Sequence, residues 1–132
     1  AGMPSYVVDE LAQIHGDLTG ATVVVLGASY RGGVKETAFS GVFPTVVALQ
    51  AKGATVLVHD PMYTDEELSH YGFTAYHLGD AADAIIVQAN HGEYAHVTAS
   101  DFPGVRTVID GRRILDVSKF APVAVHHIGV GV

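Results

Sequence analysis

Ala21-Thr-Val-Val-Val-Leu26, followed by Gly27-Ala-Ser-Tyr-Arg-Gly-Gly33, is the stretch that decides the fold of this chain. The first six residues run without a charge and are rich in β-branched side chains, the pattern of a strand buried on both faces. The next seven form a glycine-rich loop. Upstream, Pro4 suits the first turn of a helix, and Val7, Leu11 and Ile14 share one face, so residues 4–14 are expected to be helical. Residues 16–20 break that helix. Downstream, Ser40 is a good N-cap, and Val42, Phe43, Val46, Val47 and Leu49 form an apolar stripe over the following helix. Pro44 falls early in that helix, where it costs least, and Gly53 ends it.

The same alternation continues to the end. Residues 55–58 predict a second strand, closed by Asp60-Pro61. Thr64 with Asp65, Glu66 and Glu67 is an N-cap followed by first-turn acids, which predicts a short helix to residue 70. Residues 73–76 predict a short third strand, 83–87 a fourth, 93–97 a helical turn, 106–109 a fifth strand ended by Asp110-Gly111, and 123–125 a last one. Strand and helix in alternation give an α/β fold. The simplest topology is a Rossmann-like doubly wound sheet, mainly parallel, in three layers with helices on both faces.

Composition narrows the function. The chain has 132 residues, 48% hydrophobic and 16% charged, enough for one domain with a real core. Its net charge of −7, from 14 acidic and 7 basic residues, argues against a nucleic-acid surface. No apolar run approaches the ~20 residues of a membrane helix, so no membrane association is expected. With no cysteine there is no disulfide, thiolate metal site or cysteine nucleophile, as suits a cytoplasmic protein. Residues 1–15 lack the basic start and apolar core of a signal peptide. The chain opens on Ala1 rather than Met, as expected of a piece cut from a longer protein.

In a sheet of this kind ligands bind at the carboxyl ends of the strands. Four segments meet that rim: 27–33, 60–61, 89–92 and 110–113. In or just beyond them lie Arg31, Lys35, Arg112 and Arg113, four of the seven basic residues. Guanidinium groups clustered beside a helix start suit a phosphate-bearing ligand; the plainer reading is solvated surface arginines. The glycine loop is neither a G-x-G-x-x-G dinucleotide fingerprint nor a P-loop, because Tyr30 and Arg31 stand where a pyrophosphate would need bare backbone. The eight histidines, including His91 with His96 and the adjacent His126 and His127, do not share a helical face. No metal site is expected from them. Ser29, Asp60 and His91 can be drawn as a hydrolase triad, but no G-x-S-x-G elbow supports it.

The segment Val25-Leu-Gly-Ala-Ser-Tyr-Arg-Gly-Gly-Val-Lys-Glu-Thr-Ala-Phe-Ser40 resembles the opening of the C-terminal domain of UDP-glucose and UDP-N-acetylmannosamine dehydrogenases. The likeness continues through Val56-Leu-Val-His-Asp-Pro61, Ala82-Asp-Ala-Ile-Ile-Val87 and Val108-Ile-Asp-Gly-Arg-Arg-Ile-Leu-Asp116. Gly2-Met-Pro-Ser-Tyr-Val-Val8 is similar to the end of the helix joining the two domains of that family. The resemblance therefore implies the end of an interdomain helix at 1–15 and a UDP-sugar-binding C-terminal domain at 16–132. It implies that the full-length enzyme, a homodimer, oxidises a UDP-hexose to its uronic acid. NAD is then bound mainly by an N-terminal domain, and a cysteine comes from a central one, both outside this chain. Tyr30, Arg31 and Arg112 are implied to contact the UDP-sugar, with Lys35 and Thr37 toward the cofactor side. No catalytic residue is expected here. The departure is at Glu36-Thr37-Ala38, where many relatives end the triplet in arginine. The Tyr-Arg-Gly-Gly-Val-Lys-Glu-Thr loop looks closer to the UDP-N-acetylmannosamine subgroup. The main competing reading is a free-standing Rossmann-like nucleotide- or CoA-binding regulatory module.

Overall fold

The computed structural model describes residues 3–29, 32–33, 35 and 40–128. Helix α1, Met3–His15, leads into strand β1, Thr22–Leu26. Helix α2, Val42–Ala51, precedes β2, Thr55–His59. The short helix α3, Asp65–His70, is followed by β3, Ala84–Val87, β4, Thr107–Asp110, and β5, Val125–His127. The strands form one sheet in the order β2-β1-β3-β4-β5, with every described pairing parallel. This is one of the two common orders of a doubly wound sheet, so the α/β, Rossmann-like, three-layer expectation holds.

The two faces follow from the period-2 alternation of strands. Val23, Val25, Ala84, Ile86 and Ile109 point to one side and meet Val8 and Leu11 of α1, Val42, Val46 and Leu49 of α2, and Leu68 of α3. Val24, Leu26, Ile85, Val87 and Val108 point to the other, onto Tyr76, Tyr94, Phe102 and Phe120. That second face is covered by three 3-10 turns, Gly92–Ala95, Ala99–Asp101 and Val117–Lys119, and their loops rather than by α-helices. The difference has a reason in the sequence. The segment after β3 is too rich in short polar capping residues for a long helix, and large aromatic rings fill the layer instead. Val23, Val24, Val25 and Leu26 are all fully buried, each contributing on the order of 1.5–3 kcal/mol.

Local expectations hold with shifts. Thr64 caps α3 through a complete capping box with Glu67. Residues 73–76 make a single parallel bridge, Val58 to Ala75, in place of a strand. The last strand lies two residues later than expected, and the turn at 93–97 is the 3-10 turn beginning at Gly92. Ser40 accepts from Val42 N at 3.2 Å, but the helix cap itself is Gly41. Helix α1 packs on α2 and is pinned at its end by His15. There Nδ1 lies 2.7 Å from Thr107 Oγ1, and Nε2 accepts from Arg106 Nη2 at 3.0 Å. Burial, and then the Arg106 guanidinium, hold His15 below its ordinary pKa.

Candidate functional site

Strand order reverses between β1 and β3, so the crevice outside their carboxyl ends is where this architecture takes a ligand. Two loops leave those ends, 27–33 after β1 and 88–91 after β3, and they touch. A Cβ on Gly27, whose φ is +109°, would stand 2.5 Å from Ala89 Cβ. A Cβ on Gly32 would stand 2.2 Å from the Asn90 carbonyl oxygen. Glycine at these positions therefore serves the approach of one rim loop to the other. The contact is hydrogen-bonded as well: Gly32 N donates to Asn90 Oδ1 at 2.8 Å, and Gly33 N donates to His91 Nδ1 at 3.0 Å.

Below the two loops sits a buried carboxylate. Asp60 Oδ2 accepts from Ala28 N at 2.8 Å, Ser29 N at 3.1 Å, Ser29 Oγ at 3.1 Å and His91 Nε2 at 2.9 Å. Its Oδ1 accepts from Met62 N at 2.8 Å. Burial alone would raise its pKa. The bonds from His91, Met62 N and Ala28 N outweigh burial and hold it below the usual carboxylate range. The structure thus brings Ser29, Asp60 and His91 together, but around the carboxylate. Ser29 Oγ donates to Asp60, not to an imidazole, and all three side chains are buried. A triad serine needs an imidazole on its hydroxyl and a path to substrate, and Ser29 is fully buried with its hydroxyl on the carboxylate. Tyr94 backs the cluster: its ring meets His91 edge-on at 5.7 Å, and its hydroxyl donates to His59 O at 3.1 Å. Burial, reinforced by Asp60 and Glu93, raises the Tyr94 pKa well above its ordinary value.

Arg112 lies on the same rim. Its Nε donates to Gln88 O at 3.0 Å, across the end of β3. The turn that carries it is built on Asp110, fully buried, whose Oδ1 accepts from Arg112 N and Oδ2 from Leu115 N, each at 2.9 Å. His127 Nε2 stands 3.9 Å from the same Oδ2. Among the described residues no acceptor takes Arg112 Nη1 or Nη2. Beside it is a cavity of about 290 Å³ lined by Val7, Ile86, Val87, Gln88, Gly111 and Ile128. One wall comes from Val7 of α1 and the floor from Ile86 and Val87 of β3, and Arg112 lines the pocket with them.

The other expected residues divide. Lys35 Nζ lies 2.6 Å from Glu67 Oε2 and 5.3 Å from the Tyr63 ring centroid, toward α3; neither partner lines the Arg112 cavity. Arg113 is exposed, with φ +56°, beside Arg112 in the turn. Tyr30, Arg31 and Thr37 lie outside the described residues. Among the described residues no three His, Asp or Glu side chains gather as a metal site would require. No described helix is long and apolar enough to cross a membrane. Sequence reading missed Asn90, Asp110 and the linking role of His91. Asn90 and His91 act through contacts with segments remote in sequence, which no local pattern marks, whereas Asp110 holds its own turn through Arg112 N and Leu115 N.

A parallel α/β sheet with a cationic, partly apolar pocket at its carboxyl rim defines a Rossmann-like ligand-binding domain. Residues 24–117 match the UDP-glucose/GDP-mannose dehydrogenase family, UDP binding domain, and the chain belongs to that family. It is 32% identical over 120 residues to the UDP-glucose 6-dehydrogenase AglM of Haloferax volcanii, covering 86% of this chain and 28% of that one. It is 28% identical over 140 residues to the UDP-glucose 6-dehydrogenase of Rickettsia bellii, covering 97% of this chain and 32% of that one. The chain therefore spans about a third of the length of the curated relatives it matches. Its fold superposes on the UDP-N-acetyl-mannosamine dehydrogenase Cap5O from S. aureus with a TM-score of 0.77 at 24% identity, over 96% of this chain and 31% of that one.

Proposed function

We propose that this chain is the C-terminal, substrate-binding domain of a cytoplasmic, NAD-dependent UDP-sugar 6-dehydrogenase, and that Arg112, with Tyr30 and Arg31, contacts the UDP-sugar. The observation that carries the reading is the setting of Arg112. Its Nε is committed to Gln88 O, so the guanidinium is held in place while its outer edge stays available to an anion. The apolar pocket beside it, reaching Val7 of α1, suits the less polar part of a ligand. NAD, when bound to the full-length enzyme, supplies the hydride acceptor. The glycine loop of this chain does not fit NAD, because the faces of Gly27 and Gly32 that a pyrophosphate would approach are filled by Ala89 and Asn90. The reading therefore assigns the cofactor and the thioester cysteine to parts outside these residues. Residues 1–15 act as the end of the connecting helix and 16–132 as the binding domain.

The test is kinetic, in the full-length protein. A guanidinium contact to phosphate contributes about 1.5–3 kcal/mol, so Arg112→Ala should lower kcat/KM for the UDP-sugar about 10- to 150-fold. Arg113→Ala should change it less than about threefold, the scale of an ordinary surface substitution. Equal losses in the two variants, or loss in Arg113→Ala or Lys35→Ala alone, would overturn the assignment. Tight binding of CoA with none of UDP would favour a regulatory module instead.

A further inference from the structure

We propose that His91 is a positioning residue for the nucleotide-sugar site, a bridge that ties Gly33 of the glycine-rich loop to the buried Asp60. The inference rests on the function proposed above for its effect on ligand binding, and on geometry alone for the bridge itself.

An imidazole carrying one proton has one donor and one acceptor, and His91 uses both. Gly33 N donates to Nδ1 at 3.0 Å, so Nδ1 carries no proton. Nε2 then carries it and donates to Asp60 Oδ2 at 2.9 Å. The ring is 1% exposed and meets the Tyr94 ring edge-on at 5.7 Å. Asp60 does not depend on His91: without it, three backbone N–H groups and the Ser29 hydroxyl still donate to the carboxylate. Gly33 does depend on it, since among the described residues its N–H has no other acceptor. The distinctive contribution of His91 is therefore to the loop. Asn90 adds a second tether at Gly32, and Asp60 holds the near end at Ala28 and Ser29. The two residues between Ser29 and Gly32 are Tyr30 and Arg31. Ala28, Ser29, Gly32 and Gly33 are thus held by one hydrogen-bonded unit built from Asp60, Asn90 and His91.

Two substitutions separate the two ring nitrogens. His91→Gln places an amide N–H near the position of Nε2 and keeps the bond to Asp60, but offers Gly33 no acceptor. His91→Asn places an acceptor near Nδ1 and keeps Gly33, but falls short of Asp60. In the full-length enzyme, the Gln variant should raise KM for the UDP-sugar roughly five- to tenfold, the scale of one lost hydrogen bond, with a smaller effect on kcat. Amide exchange at Gly33 should quicken by a similar factor. The Asn variant should keep KM and Gly33 exchange near wild type even though it melts earlier. Unchanged KM in the Gln variant would overturn the proposal. So would KM values in the two variants that simply follow their melting temperatures. Failure of the wild-type enzyme to act on any UDP-sugar would overturn the proposed function instead. In that case unchanged Gly33 exchange in the Gln variant would overturn the bridge, and faster exchange would uphold it.

Discussion

Replacing Asp60 by asparagine probes the centre of the rim. Five hydrogen bonds end on its carboxylate, four on Oδ2 and one on Oδ1. In the better of the two amide orientations, the new NH2 takes the place of Oδ1. Met62 N then loses its acceptor, and the other four bonds lose their charge assistance. A bond to a charged group contributes about 1.5–3 kcal/mol against about 0.5–1.5 for a neutral one. Burying an amide instead of a carboxylate offsets part of that difference. The net loss is about 2–4 kcal/mol, out of a total stability on the order of 5–15 kcal/mol. At about 3–5 °C per kcal/mol for a domain of this size, the midpoint should fall by about 6–20 °C at pH 7, followed by circular dichroism. The sign of the pH dependence follows from the lowered pKa of Asp60. A carboxylate with a depressed folded pKa contributes its stability above the unfolded value of about 3.9 and loses it as pH falls through the folded one. The gap between wild type and variant should therefore be full at pH 7 and should shrink below about pH 4. A gap under about 2 °C at pH 7, or one that widens on acidification, would refute the reasoning.

Gly32→Ala sets a Cβ 2.2 Å from backbone that cannot swing away, so the two rim loops must part. We expect a loss of about 1–3 kcal/mol in urea unfolding together with weaker UDP binding; a variant with both unchanged would show that the loops are not held in contact in solution. On α1, Tyr6 is 54% and Ile14 40% exposed, an apolar outer side on a helix whose inner side already packs through Val8 and Leu11. The chain should associate with rising concentration in sedimentation, less so as Tyr6→Glu, and a strict monomer at high concentration would remove this expectation.

The strands were legible because burial on both faces leaves an uninterrupted apolar signature, as at Val23, Val24, Val25 and Leu26. Capping was legible at Thr64, where the box is local in sequence. Residues 73–76 were overread because their β-forming side chains serve one bridge to Val58 and a place in the core, not a ladder. Site chemistry was legible only in part. Asp60-Pro61 is the strand-ending turn its sequence indicates, yet its buried role depends on partners 31 and 32 positions away. The same three residue types that permit a triad on paper, Ser29, Asp60 and His91, prove to be arranged about the wrong member. Spacing along a chain does not say which atom faces which. The grip of Arg112 on Gln88 is invisible for the same reason, since it crosses from one strand end to another.

The margins of the sheet bear on how the molecule behaves among its own copies. β5 spans only three residues, two of them the polar His126 and His127. On the opposite margin the amide and carbonyl of Val58 are already taken, by Thr74 O at 2.9 Å and Tyr76 N at 2.8 Å. Neither border offers the long run of unpaired peptide groups that templates a fibril. Strand-by-strand polymerisation, the usual hazard of an open parallel sheet, meets a short polar strand on one flank and the chain's own residues 74–76 on the other.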